Sequence, residues 1–197
     1  MRDKYGVEHD SYCYPSSDVL INLLNIRDAG ELAEAEAEFT AERYRTYEAK
    51  LLPLTDFSFE HLQRLHYHLF QDLYEWAGKP REVDISKGTT RFCTCSRIVP
   101  EAKKLFASIP GLDNLKNEHD LIVRVSDLYC EMNILHPFRE GNGRVQRFFF
   151  EELLFALGYE LTWPKISKEM WIDANIAGYD LNLEPLIAIF SQALTKR

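Results

Sequence analysis

Two apolar helical patterns meet at a turn that neither can cross. Leu121, Ile122, Val125, Leu128, Tyr129 and Met132 share one face of a helix expected over about 118–134. Val145, Phe148, Phe149, Leu153, Leu154 and Leu157 repeat the pattern up to Gly158. Between the two runs lies "HPFREGNGRVQR", residues 136–147. Pro137 lacks an N–H and clashes with a preceding helical turn, so the first helix must stop at His136. Gly141 and Gly143 then give the backbone the freedom to start again. Two core helices hinged at a short, charged, glycine-rich loop constrain the fold more than any other feature.

The rest of the chain reads as further helices around that pair. Residues 1–17 are polar and predict an irregular arm. "DVLINLLNI", from Asp18, predicts a short helix with an Asp cap. The Ala- and Glu-rich stretch from Gly30 to Leu52 predicts a long solvated helix, with Leu32, Ala35, Phe39 and Tyr47 on one face. Ser58 caps another, whose buried face carries Phe59, Leu62, Leu65, Leu69, Leu73 and Trp76, with Gly78 and Pro80 ending it. Pro100 opens a helix, Ser167 caps "KEMWIDANIA", and Pro185 opens the last one, through Leu194. Only "REVDISKGTTRFCTCSRI" reads as β structure, a hairpin over about 82–98. The expected fold is mostly α with one hairpin.

Composition narrows the function. A net charge of −8 argues against nucleic acid as a bulk ligand, since phosphate backbones need a basic face. It leaves room for a small local anion site. Cys93 and Cys95 would share one face of a strand, but a single such pair is a weak metal signal. No stretch reaches the length of a membrane span, and "MRDKYGVEHD" has no apolar leader core. The expectation is a protein of the reducing cytoplasm.

The loop itself carries chemistry. A Gly-Asn-Gly turn at a helix N-terminus presents unpaired N–H groups and the positive end of the helix dipole. Arg144 and Arg147 are three residues apart and can offer forked donors to more than one phosphate. Glu140 beside such a site would repel the ligand unless a cation lay between them, and Mg²⁺ suits one carboxylate plus phosphate oxygens. Histidine is the side chain whose ordinary titration lies near neutrality, so His136 is the candidate to accept a proton from a hydroxyl. Phe138 is the apolar member, expected to anchor the loop.

"HPFREGNGRVQR" resembles the signature of the Fic family, His-x-Phe-x-(Asp/Glu)-Gly-Asn-Gly-Arg-x-x-Arg, and matches it at every specified position. The resemblance implies a helical Fic (Fido) domain over 57–197, preceded by an N-terminal helical extension, 1–56. It implies a protein adenylyltransferase that moves AMP from ATP to a Tyr, Ser or Thr hydroxyl and releases pyrophosphate. His136 would then be the general base and Glu140 the Mg²⁺ ligand. Phe138, Gly141, Asn142, Gly143, Arg144 and Arg147 would form the nucleotide site. The hairpin would be a flap that holds the target by strand addition, through Ile85, Lys87, Gly88, Thr89, Thr90 and Phe92. Trp171 and Asn175 are nominated for the adenine.

Many members of the family carry an inhibitory helix with (Ser/Thr)-x-x-x-Glu-(Gly/Asn). Glu-Gly occurs here only at 140–141, and Glu-Asn does not occur. The chain therefore resembles the toxin class silenced by a separate small antitoxin protein, whose members modify type II topoisomerases. Two alternatives stay open: a transferase using another nucleotide donor, and a catalytically silent Fic-fold binding module.

Overall fold

The structure, a computed structural model, describes residues 10–88 and 90–197. The two helices that frame the loop form as their patterns require. α4 (Glu118–Leu135) starts at Asn117, whose side chain accepts the Asp120 N–H, with Glu118 and Asp120 favouring the positive end of the dipole. It stops where Pro137 dictates: His136 takes a left-handed conformation, φ +41°. α5 (Asn142–Ala156) starts after Gly141, φ +80°. Phe148, Phe149, Phe150, Leu153 and Leu154 of α5 and Val125, Leu128, Tyr129 and Met132 of α4 are buried in one core.

Five more α-helices surround this pair among the described residues. They are α1 (Ala29–Arg45), α2 (Phe59–Phe70), α3 (Ile98–Phe106), α6 (Lys168–Tyr179) and α7 (Glu184–Ala193). α2 packs between α1 and α5, while α4 contacts α3, α5, α6 and α7. Aromatic edges knit the layers. Phe149 meets Phe57 at 5.6 Å and Phe106 at 5.5 Å, and Tyr129 meets Phe190 at 5.4 Å. Each such buried ring contributes about 1.5–3 kcal/mol through burial alone. Ser58 and Ser167 cap α2 and α6 through their hydroxyls, as expected.

Several expectations need correction. Residues 18–26 are not helical. Asn22 accepts the Ile26 N–H and donates to the Leu20 and Ile26 carbonyls, and Leu23 N–H reaches Leu73 O. These bonds give the backbone a better alternative to a helix. α1 ends at Arg45, where the Thr46 hydroxyl takes Glu42 O, and Tyr47 turns onto Phe148 at 4.8 Å instead of continuing. α2 ends at Phe70, so Leu73 and Trp76 pack from an irregular turn. α3 begins at Ile98 out of a 3₁₀ turn at Cys95–Arg97, so Cys93 and Cys95 do not share a strand. The hairpin is shorter than expected: β1 (Ser86–Lys87) pairs with β2 (Thr90–Arg91). A second antiparallel pair, β3 (Tyr159–Leu161) with β4 (Leu194–Lys196), takes Leu194 out of the last helix. Most of the expected N-terminal arm lies outside the described residues, as does Thr89. Among the described residues no helix is long and apolar enough to cross a membrane.

Candidate active site

The loop between α4 and α5 is held from below by rings and from its sides by hydrogen bonds. Phe138 is fully buried and stacks on His66 of α2 with centroids 3.9 Å apart. Its ring thus lies beneath the site and anchors it. Asn142 closes the loop on itself: its Oδ1 accepts the Phe138 N–H and its Nδ2 donates to Phe138 O, both at 2.8 Å. The Asn142 side chain is therefore committed to loop shape, leaving its backbone N–H at the helix start. Gly141 has no alternative. A Cβ there would lie 2.2 Å from Phe70 Cζ, and φ is positive.

His66 secures the acidic residue of the loop. Its Nδ1 accepts the Gly78 N–H at 2.9 Å, so Nε2 carries the proton and donates to Glu140 O, also at 2.9 Å. Burial pushes its pKa down to about 3, so the ring is neutral. The Glu140 carboxylate accepts the Gly141 N–H at 2.9 Å and lies 3.8 Å from Arg144. Arg139, the residue before it, is buried and paired with Asp10 at 2.5 Å, tying the N-terminal segment to the loop.

The α5 N-terminus has no side-chain cap, so the first-turn N–H groups of Asn142, Gly143 and Arg144 are presented at the loop mouth. Gly143 is exposed there. Arg144 lies over the Phe70 ring and donates to Glu36 of α1 at 2.5 Å. Glu36 also accepts the Tyr74 hydroxyl, and burial raises that phenol's pKa. Arg147 is half-buried, with its guanidinium in hydrogen-bonding reach of the Tyr129 hydroxyl. Trp171 reaches the same hydroxyl and packs edge-on against Tyr129 at 5.6 Å. Asn175 donates to Trp171 O, and its buried Oδ1 has no hydrogen-bond partner. Trp171 and Arg147 thus share one neighbour, Tyr129, and Asn175 is tied to it through Trp171.

His136 faces the hairpin. Its Nδ1 is 3.1 Å from Asn133 O, and a carbonyl can only accept, so Nδ1 carries the proton and Nε2 the lone pair. The Phe92 ring stacks flat on the imidazole, 3.8 Å between centroids and 15° between planes. Phe92 N–H also donates to Ile85 O, and Ile85 is buried under the hairpin. Gly88, at φ +59°, makes the turn; Lys87 is exposed and Thr90 half-buried.

Three groups at this site are absent from the sequence reading: Glu36, His66 and Arg81. His66 carried a signal, a polar residue on the apolar Leu62–Leu65–Leu69 face. Glu36 looks like any other acid of a charged helix. Mg²⁺ fits the donors present only in company. Among the described residues no group of three or more His, Cys, Asp or Glu could hold a metal. Glu140 offers one carboxylate at the mouth of the N–H cluster, so phosphate oxygens must supply further ligands, the arrangement Mg²⁺ favours.

A histidine facing a hairpin, a glutamate, an uncapped helix start and two arginines gather at one loop of a helical scaffold, the arrangement of a Fic-type domain. The chain belongs to the Fic/DOC family, whose family model matches residues 56–154. It is 41% identical over 202 residues to the "Probable protein adenylyltransferase Fic" of Escherichia coli strain K12, spanning 100% of this chain and 98% of the relative. The Salmonella typhimurium protein of the same name is 42% identical over 199 residues, with 100% and 98% covered. A crystal structure of the N-terminal Fic domain of a Bartonella quintana effector, solved with bound ADP, superposes with a TM-score of 0.82 at 28% identity, covering 94% of this chain and 95% of that one.

Proposed function

We propose that the chain is a protein adenylyltransferase that moves AMP from ATP to a target hydroxyl. The observation that carries this reading is the joint placement of His136 and the α5 N-terminus at one loop. Nε2 of His136 removes the proton from the target hydroxyl. The hydroxyl oxygen bonds to the α-phosphorus as the bond to the bridging β-oxygen breaks, and pyrophosphate leaves. The N–H groups of Asn142, Gly143 and Arg144, with the Arg144 and Arg147 side chains, bind the triphosphate and stabilise the charge that builds on it. Mg²⁺, held by Glu140 and phosphate oxygens, would supply further charge neutralisation. Residues 84–92 align the target strand, and Trp171 and Asn175 border the base.

Residues 57–197 would be the catalytic unit, with 1–56 as its extension. That the inhibitory pattern does not occur within these 197 residues is in keeping with silencing by a separate small antitoxin, and family likeness makes type II topoisomerases in the cytoplasm the first target to test. Incubating the protein and a bacterial lysate with α-labelled ATP or UTP tests the donor. ATP-dependent labelling of a protein supports the reading; labelling by UTP alone rejects it. Growth arrest on expression, relieved by His136→Ala, tests toxicity.

A further inference from the structure

One buried cation has no part in that reaction scheme. Arg81 is 2% exposed, and its hydrogen bonds go to main-chain carbonyls. A charge so placed is costly unless fully hydrogen-bonded, and burial lowers its pKa accordingly. The compensation comes from three separate segments. Nε donates to His136 O at 2.9 Å, Nη1 to Val83 O at 2.7 Å, and Nη2 to Cys93 O. The Arg81 backbone N–H adds a bond to Pro137 O at 2.8 Å.

These carbonyls are not arbitrary. Val83 and Cys93 stand on the two legs of the hairpin, just outside Ile85 and Phe92. His136 is the left-handed residue whose carbonyl leaves the α4 axis. Cys93 N–H separately reaches Ile134 O in the last turn of α4. One planar guanidinium therefore fixes the backbone of His136 and both hairpin legs at once. The stack of Phe92 on the imidazole is the side-chain result of that arrangement.

We propose that Arg81 is a positioning residue for AMP transfer, setting the His136 imidazole and the target-holding hairpin in one fixed geometry. This rests on the reading of His136 as base and of residues 84–92 as the flap. Arg81 does not reach the phosphate side of the loop, which hangs on His66, Phe138 and Glu36. Lysine cannot replace it, because a single ammonium lacks the planar fork needed for three carbonyls in different segments. Misplacing a docked hydroxyl by about 1 Å costs on the order of 100-fold in rate.

The test compares wild type with Arg81→Lys. Calorimetric titration with Mg-ATP should give dissociation constants within about threefold, while AMP transfer to lysate proteins falls on the order of 100-fold. Amide hydrogen exchange at Phe92 and Cys93 should speed up in the variant. Wild-type transfer, unchanged exchange at those amides, or parallel loss of ATP binding and transfer would each overturn the proposal. Should Arg81→Lys not fold, the wild-type protein still decides. Its Arg81 Nε–H signal by NMR must exchange far more slowly than those of exposed arginines, and rapid exchange would sink the idea. A wild type that binds Mg-ATP but transfers no AMP would instead reject the adenylyltransferase reading, with both exchange measurements still reporting on Arg81.

Discussion

Glu36 of α1 and Arg144 of α5 meet at 2.5 Å across the edge of the candidate phosphate site. A triphosphate bound as proposed would share that guanidinium with a carboxylate already in place. Glu36→Gln keeps the shape and can still pair with the Tyr74 hydroxyl, but it removes the competing charge. The KM for ATP should fall roughly two- to fivefold, the range of a partly exposed ion pair. Steady-state labelling at varied ATP measures it; a raised KM would mean that Glu36 aligns Arg144 more than it competes.

His66 gives the fold a particular acid sensitivity. Its native pKa is about 3, against an ordinary value of 6.5, so the unfolded chain binds more protons between those values. Stability from this group is complete above about pH 6.5 and is lost as pH falls through the window, by up to about 1.4 kcal/mol per pH unit. Thermal melting between pH 7 and 5, above most carboxylate titration, should show that slope in wild type. His66→Gln should flatten it while melting lower at pH 7, since the ring's bonds to Gly78 and Glu140 are disturbed.

Gly141→Ala should be among the most damaging single-methyl changes. The new Cβ would overlap Phe70, in a backbone region that disfavours side chains. A loss of about 3 kcal/mol or more is expected, read by urea unfolding. Gly88→Ala is the contrast. It also has positive φ but no atom within 4 Å of the added Cβ, so its cost should be about 1–2 kcal/mol.

Asn142→Ala removes both partners of the Phe138 backbone. A buried N–H and C=O would then lack those bonds, at a cost of about 1–3 kcal/mol each. Urea unfolding should register the loss. Labelling by ATP should fall as well, because the loop that presents Glu140 would no longer hold its shape.

The parts of this protein that were legible in sequence are those decided locally. Pro137 and Gly141 set the loop by sterics, Ser58 and Ser167 cap their helices, and the α4 and α5 faces follow their periodicity. Asp18–Ile26 misled because its apolar spacing suits a helix, while the Asn22 amide bonds its neighbours more effectively. The β3–β4 pair left no local trace, since its two strands lie on either side of α6 and α7 in the chain. Glu36, His66 and Arg81 matter through partners far away in the chain. Their residue types alone say nothing about a loop they meet only in three dimensions.

α5 carries the buried Phe148, Phe149 and Phe150 and, toward its N-terminus, Arg144 and Arg147, the two residues proposed to hold the phosphates. Substrate binding and thermal melting should therefore report one cooperative event. A nucleotide that grips the arginines also braces the aromatic interior, so saturating Mg-ATP should raise the melting temperature of the whole domain rather than quieten a local loop.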